Sequence, residues 1–267
     1  MPTVCLNEIF RQAAQSLIVE NAHHIISGEP LKKGGKTDDF FFLEADGDAA
    51  QKLVCDLVTT RLPRSYQFDP VKDIQVLCPT KLGPTGTQAL NAELQAMLNP
   101  PKKGKPELQS AARVFRVGDK VMQVRNNYEI TWQRIGGEQG VGAVQRRHRH
   151  RGVHRRAQSL HGGADGRPAA GLPGGEPQRT GNCVCHHGTQ SQGSEFPAVI
   201  LPAAQVPPRL CYRNLFYTGV TRGRKLCIVV GRRDVVNRMM SNIRQNLRYS
   251  GLAALLAQAL PPEQEGL

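Results

Sequence analysis

Three short strings hold arginine and glutamate residues in settings where they could handle phosphate groups. Asn7–Gln12 places Arg11 at the start of a predicted helix, and Tyr217–Lys225 places Arg222 between a short helix and a strand. Between them, Ser191–Val199 is a polar glycine turn that feeds a buried strand. A guanidinium at such a junction can face an open cleft and bind two phosphate oxygens through its planar fork. Each string alone is more often structural, and a helix-capping role is the alternative for Arg222.

Gly35-Lys36-Thr37 looks like the end of a phosphate-binding P-loop. A P-loop needs a glycine five residues before Gly35, where this chain has Pro30, and it needs a strand before it and a helix after it. Here a polar loop precedes the string, and Asp38-Asp39 and a phenylalanine run follow it. The sequence therefore predicts a solvated turn.

The segment 145–190 has an unusual composition. It carries eight Arg, no Lys and two acids, so it supplies +6 of the net charge of +13. Arg146–Arg156 suggests a nucleic-acid arm but has no aromatic residues for base stacking. Cys183, Cys185, His186 and His187 suggest zinc, although so short a cluster does not easily close a tetrahedron. A non-catalytic, basic nucleic-acid-binding protein that works through this segment, with or without zinc, is one interpretation of the chain.

Length and composition narrow the class of protein. The 267 residues, 39% apolar, are enough for one large or two modest domains. We expect no membrane span, because no apolar run approaches the roughly 18 residues that a transmembrane helix needs. The start of the chain has no secretory pattern, and seven cysteines are an odd number. These features predict reduced thiols and a cytoplasmic location.

The elements that must position the three strings alternate between helix and strand. Apolar spacing predicts one helix from Asn7 to Ile26 that stops at Gly28. The further predictions up to residue 98 are a strand at Phe40–Leu43, a helix over Ala50–Val58 ended by Pro63, a strand at Ile74–Cys78 and a helix at Thr87–Leu98. Such alternation favours a parallel α/β sheet.

A different pattern interrupts this alternation. Pro100–Pro106 is a linker, after which Arg113–Val117 and Lys120–Arg125 predict a β-hairpin that turns at Gly118-Asp119. The α/β pattern returns with a strand at Ala198–Leu201, a helix at Arg213–Val220, a strand at Leu226–Val230 and helical stretches from Asp234 to Leu260. The sequence thus predicts an α/β domain with a β-rich insertion.

Taken in order, the three strings resemble the C-terminal half of a superfamily 1 helicase, and the chain is most similar to the RecD-like ATP-dependent DNA helicases. Four further strings support this resemblance: Ser16–His23, Asp73–Pro79, Arg113–Gln123 and Asn126–Tyr128. The resemblance covers about 1–144 and 191–260. It implies a C-terminal RecA-like, P-loop NTPase-type domain at 1–100 and 191–260, split by a small SH3-like β insertion at 107–190.

The resemblance also implies an activity and a set of site residues. Two RecA-like domains bind ATP and Mg²⁺ between them and move 5′ to 3′ on single-stranded or duplex DNA, in repair and recombination. The N-terminal domain with the P-loop is absent here, so this chain alone is expected not to hydrolyse ATP. The implied residues are Arg11 and Arg222 as arginine fingers, Gln12, Gln192, Gly193 and Glu195 at the nucleotide, and Thr80, Lys81 and Ser191 at DNA.

The segment 145–190 departs from the family pattern, which has an Asn-Gly-Asp turn and then Ala-Tyr-Ala-Ile-Thr-Val-His-Lys before Ser191. Codons permitted for Gln145–Gly152, read one base later, encode Asn-Gly-Asp-Ile-Gly-Ile-Val. Codons permitted for Cys183–Gln190 encode the second family string in the same way. The hypothesis is an out-of-frame segment between two compensating single-base changes, which predicts no packed structure for 145–190. A decayed, inactive gene product is a third interpretation.

Overall fold

The computed structural model describes residues 16–35, 37–110, 113–123, 127–133, 139–143, 180–182, 185–187, 194–243 and 255. The described strands, in chain order, are β1 (Phe40–Glu44), β2 (Ile74–Cys78), β3 (Glu107–Ser110), β4 (Arg113–Arg116), β5 (Val121–Gln123), β6 (Asn127–Gln133), β7 (Gln139–Ala143), β8 (Thr180–Asn182), β9 (Cys185–His187), β10 (Phe196–Ala203) and β11 (Gly223–Gly231). The helices are α1 (Leu17–Ser27), α2 (Gly47–Asp56), α3 (Leu62–Tyr66), α4 (Thr87–Leu98), α5 (Arg213–Val220) and α6 (Arg233–Ser241). None of them is long and apolar enough to cross a membrane.

Five strands form one parallel sheet in the order β1, β11, β10, β2, β9. The register aligns Phe40, Cys227 and Val199 across three neighbouring strands, and Val199 pairs in turn with Gln75. Parallel neighbours need helical crossovers, and these cover both faces of the sheet. The predicted α/β class with a parallel sheet is confirmed.

The core has one layer on each face of the sheet. Ala198 and Ile200 of β10 face a cluster built with α2 and α4, whereas Val199 and Leu201 face a cluster built with α1, α5 and α6. Both sets are buried, so β10 is apolar along its whole length. This is the pattern expected of a strand covered on both faces.

The first helix is shorter than predicted. Ser16 has an extended backbone, with φ −79° and ψ 122°, and its side chain accepts a hydrogen bond from the Val19 N–H. A capping residue in this conformation begins a new helix, so a continuous helix from Asn7 to Ile26 is wrong. The predicted stop at Gly28 is confirmed. Residues 1–15 lie outside the described residues.

The helix that starts with α2 does not end at Pro63. It continues through a π-helical turn, Leu57–Arg61, into α3. In the π turn, the Leu62 N–H donates to the Leu57 carbonyl, and Pro63 then lies in the first turn of α3. The prediction was wrong because the π turn directly before Pro63 replaces the i→i−4 hydrogen-bond pattern, in which a proline would leave a carbonyl without its donor.

The β insertion pairs its strands differently from the prediction. β4 pairs antiparallel with the preceding β3, while β5 pairs antiparallel with β8, and β6 with β7. The predicted hairpin between Arg113–Val117 and Lys120–Arg125 is therefore wrong. The turn at Gly118, whose φ is +94°, directs the chain away from β4 because the Asp119 carboxylate is held by the Arg116 N–H and by two side chains of α4.

Part of 145–190 is structured, contrary to the prediction. β8 pairs with β5, and β9 extends the main sheet beside β2. An open sheet edge offers backbone N–H and C=O groups to any extended segment, whatever its side chains. The prediction is wrong for these two strands, and the rest of the segment lies outside the described residues.

Candidate functional site

Two of the three strings meet at one edge of the sheet. The Phe196 N–H, at the start of β10, donates to the Arg222 carbonyl at 2.9 Å, and Phe196 pairs with Gly223 at the start of β11. The amino ends of parallel strands lie at the same edge of a sheet, so Glu195, which precedes β10, and Arg222, which precedes β11, both lie at this edge. We call this edge, with residues 194–196 and 221–224, the amino-edge site.

Helix α5 fixes the backbone that carries Arg222. Its residues Leu215, Phe216 and Val220 are buried against the sheet. Gly219 permits a very close approach, since a Cβ atom there would lie 2.7 Å from Leu201 Cδ2. The carboxyl end of α5 is therefore held rigidly on β10, which fixes the backbone position of Arg222.

The Arg222 guanidinium does not face an open cleft. The residue is only 8% exposed. Nε donates to the Thr218 carbonyl at 3.0 Å, Nη1 to the Ser194 carbonyl at 3.2 Å and Nη2 to Thr221 Oγ1 at 3.2 Å. The expectation of an open head group was wrong because the carboxyl end of α5 and the turn before β10 supply acceptors within reach. The guanidinium ties the helix end to the Ser191–Val199 string.

Arg224 is the exposed guanidinium of this edge. Its Nε lies 3.8 Å from Glu195 Oε2, and its side chain is 62% exposed while that of Glu195 is 25% exposed. The sequence analysis did not select Arg224. The signal that could have found it is the Arg-Gly-Arg-Lys sequence at 222–225, which places several cations directly before a buried strand.

Thr80 and Lys81 lie at the opposite edge. They follow the carboxyl end of β2, whereas Glu195 directly precedes the amino end of the neighbouring parallel strand β10. Their carbonyls accept from the Thr87 and Gln88 N–H groups, both at 3.1 Å, so the loop is tied to the first turn of α4. Lys81 is exposed there. The structure does not bring these residues to the amino-edge site.

The other predicted site residues, Arg11, Gln12, Ser191, Gln192 and Gly193, lie outside the described residues, as does Cys183 of the zinc cluster. The chain that follows Arg11 is nevertheless anchored. Ser16 Oγ donates to the Asp39 carboxylate, and the Ile18 N–H donates to Asp39 Oδ1 at 3.1 Å. Asp39 directly precedes β1, so the start of α1 is held toward the amino edge of the sheet.

The lysine-rich loop before β1 is no P-loop. Gly35 donates its N–H to the Asp38 carboxylate, and the chain then enters a strand rather than a helix. The predicted turn is confirmed for Gly35 and Thr37, while Lys36 lies outside the described residues. Within the described ranges, no group of three or more His, Cys, Asp or Glu side chains could hold a metal ion.

Comparisons with known proteins show which domains carry these residues. Residues 187–230, which include the amino-edge site, match the family described as UvrD-like helicase C-terminal domain. Residues 90–141 match the SH3 domain of ATP-dependent RecD-like DNA helicases. The chain is also 31% identical over 227 residues to the ATP-dependent RecD2 DNA helicase of Deinococcus radiodurans. That alignment covers 84% of this chain and 28% of the relative.

A solved structure, the C-terminal domain of a possible DNA helicase from Lactobacillus plantarum, covers 89% of this chain at 13% identity, with a TM-score of 0.37. This likeness is too low to inform the fold. The family matches define the class first: the chain contains a helicase C-terminal domain. The SH3 match and the relative then define the family, since the chain carries the SH3 and C-terminal domains of the RecD-like DNA helicases. The resemblance inferred from the sequence strings is confirmed.

Proposed function

We propose that this chain is the C-terminal motor domain of an ATP-dependent DNA helicase that works with an N-terminal RecA-like domain carrying the P-loop. The observation that carries the proposal is the contact between Arg222 and the Ser194 carbonyl, which joins two helicase strings at the amino edge. The match to a helicase C-terminal domain covers both strings. The chain spans 28% of the length of its curated relative, so the activity of a whole helicase is proposed here for the protein of which this chain is part.

In this proposal the amino-edge site faces the nucleotide. Arg222 is held by three neutral oxygens, and it would exchange at least one of them for an anionic phosphate oxygen when ATP is bound. A phosphate oxygen carries negative charge and therefore attracts the guanidinium more strongly than a neutral carbonyl or hydroxyl oxygen does, which favours the exchange. Arg11 is the second proposed finger, with Gln12, Gln192 and Gly193 at the nucleotide and Glu195 near its ribose. Mg²⁺ would be held by the P-loop domain and neutralise phosphate charge.

The opposite edge would contact DNA. Lys81 is exposed on a loop that its own backbone hydrogen bonds hold in place, which suits a phosphate contact that positions a strand without reading its sequence. Thr80 and Ser191 are the other proposed contacts. Movement from 5′ to 3′ and a role in repair and recombination belong to the same proposal. So does a cytoplasmic location, which the four buried free cysteines of the described residues favour.

Hydrogen exchange with two ligands tests the proposal, in a helicase that joins this chain to a P-loop domain. A non-hydrolysable ATP analogue should raise protection at 194–196 and 221–224, and single-stranded DNA should raise it at 80–82. Helix α6, which carries no proposed contact, is the internal control. Protection by the ATP analogue at 80–82, or at neither edge, would overturn the assignment.

The rival, a basic binding protein that works through 145–190, makes the opposite prediction. Deleting the segment would also remove β8 and β9, so replacing the arginines of Arg146–Arg156 with glutamine is the sharper test. Removing positive charge lowers DNA affinity in any case. Under our proposal, the affinity of this glutamine variant should fall by less than about threefold beyond that general loss. A loss of binding confined to this variant, with Lys81→Ala unaffected, would favour the rival.

A further inference from the structure

The junction between α4 and the β insertion centres on one carboxylate. Asp119 follows the Gly118 turn and accepts three hydrogen bonds: from Gln95 Nε2, from Asn99 Nδ2 at 2.6 Å and from the Arg116 N–H at 2.7 Å. Gln95 and Asn99 lie on the last turn of α4 and at its end, while Arg116 ends β4. One side chain therefore joins the helix to the insertion.

The chemistry of this junction requires an acceptor with two oxygens. All three partners of Asp119 are N–H donors, and an ionised carboxylate is the side chain that accepts on both atoms. Asn99 accepts on Oδ1 from Lys105, and its Nδ2 also donates to the Val117 carbonyl at 3.3 Å. An asparagine at 119 would have to turn its NH₂ group toward one of these donors, which leaves two donors facing each other.

Other contacts at the junction are also polar. Lys120 Nζ donates to Oε1 of Gln75 at 3.1 Å, and Gln75, the second residue of β2, is fully buried. A cleft of about 70 Å³ remains beside Asp119, lined also by Val71 and Leu98. Within the described residues, hydrogen bonds between the insertion and the end of α4 hold the two together at this point.

Helix α4 connects this junction to the proposed DNA loop. Its first turn holds the carbonyls of Thr80 and Lys81, and its far end holds Asp119. The twelve residues of α4 span about 18 Å and form one continuously hydrogen-bonded element between these two contacts. A change in the orientation of the insertion would therefore reach the loop through α4.

We propose that Asp119 is a positioning residue, a latch that fixes the β insertion on α4 and thereby sets the position of the Thr80–Lys81 loop. The part of this proposal that concerns DNA rests on the proposed function of the loop. The latch itself does not, because its partners are all within the described chain.

Exchange of aspartate and asparagine across the junction tests the latch in the full chain. Asp119→Asn should raise hydrogen exchange in β4 at least tenfold. In Asn99→Asp/Asp119→Asn, the NH₂ group of the new asparagine can donate to the new carboxylate while its oxygen still accepts from Gln95 and Arg116. This double variant has the wild-type net charge and lacks only the 3.3 Å hydrogen bond from position 99 to the Val117 carbonyl. It should bring exchange most of the way back, to within about threefold of wild type.

Asp56→Asn, which removes an exposed acid paired with Arg61, is the matched control and should leave β4 unchanged. Circular dichroism establishes that each variant folds. The latch is overturned if Asp119→Asn behaves like the control, or if the double variant exchanges as fast as the single one.

Binding of a labelled oligothymidylate tests the link to the loop. Asp119→Asn should weaken it about threefold to tenfold, and the double variant should restore it. Unchanged affinity in a variant whose β4 exchanges faster would overturn the link. If the wild-type chain itself does not bind the oligonucleotide, the proposed DNA contact fails, while the exchange experiment still decides the latch.

Discussion

Removal of the Arg222 side chain should destabilise the folded chain, whatever its role in catalysis. Arg222→Ala deletes three hydrogen bonds made by a buried, charged group. The Thr218 carbonyl keeps the Thr221 hydroxyl at 3.2 Å, but the Ser194 carbonyl loses the guanidinium. A hydrogen bond to a charged group makes a net contribution of about 1.5 to 3 kcal/mol to stability. Allowing for water that enters the vacated space, we expect a loss of about 2 to 3 kcal/mol.

Arg222→Lys should lose less, about 1 to 2 kcal/mol, because an ammonium group can reach one of the acceptors but cannot span all three. The measurement is urea and thermal unfolding of the chain, followed by circular dichroism. For a chain of this size, 2 to 3 kcal/mol corresponds to a fall in Tm of roughly 5 to 10 °C.

The matched control is Arg224→Ala at the same edge. Its side chain is 62% exposed and makes a surface ion pair with Glu195, which contributes little to stability. We expect a change within about 0.5 kcal/mol. If Arg222→Ala also falls within that range, its guanidinium is not held as the structure has it, and the buried anchor is refuted.

Three further predictions concern the core and the gene. Burial, and the nearby Glu93, raise the pKa of Cys55 from 9.0 to about 11, so its thiol stays neutral in the folded state at a pH where it ionises in the unfolded state. The free energy of unfolding should therefore fall by about 2 kcal/mol as pH rises from 9 to 11. Urea unfolding measures this, and the fall should be smaller in Cys55→Ser. Gly219→Ala should cost about 1 to 3 kcal/mol by overpacking against Leu201, with a lower Tm as the readout, and an unchanged Tm would contradict this. Sequencing of the coding DNA should show the one-base-shifted family strings at both ends of 145–190; codons that exclude either string would reject the frame hypothesis.

The elements with strong local signals could be predicted from the sequence. The bounds of β2, α4 and α5 are those expected from their apolar patterns and from Pro79. Proline and the spacing of apolar residues determine structure within a few residues of the chain, so a local pattern is enough to predict such bounds. The pairing of β4 could not be predicted in this way. Alternation indicates a strand, but its partner is set by the Asp119 turn and its contacts with α4.

The site was predictable in composition but not in geometry. Residue types and order pointed to Glu195 and Arg222, and the structure places both at one edge. That Arg222 is buried depends on the carbonyls of Thr218 and Ser194, whose position only the packing of α5 on β10 determines. The distance of Thr80 from this edge follows from strand direction, which local patterns do not contain.

Strand β9 lies inside the segment 145–190 to which the frame hypothesis applies. His186 pairs with Leu77 of β2, and in the shifted frame this position would be isoleucine, between alanine and threonine. Such a string is a typical buried strand, whereas Cys-His-His is not. Position 186 of the sheet is therefore occupied by a histidine where the frame hypothesis predicts an isoleucine.

Single-turnover ATP hydrolysis by Arg222→Lys tests the central claim most directly, in a helicase that joins this chain to a P-loop domain. Nucleotide affinity is measured in parallel, so that binding is separated from chemistry. Arg233→Lys, an exposed arginine of α6 paired with Glu44, is the control. The account predicts a loss of about 10³-fold in the hydrolysis rate of Arg222→Lys, with a much smaller loss of nucleotide affinity. Near-normal hydrolysis together with a lowered Tm would show that Arg222 only caps the helix, and would contradict the account.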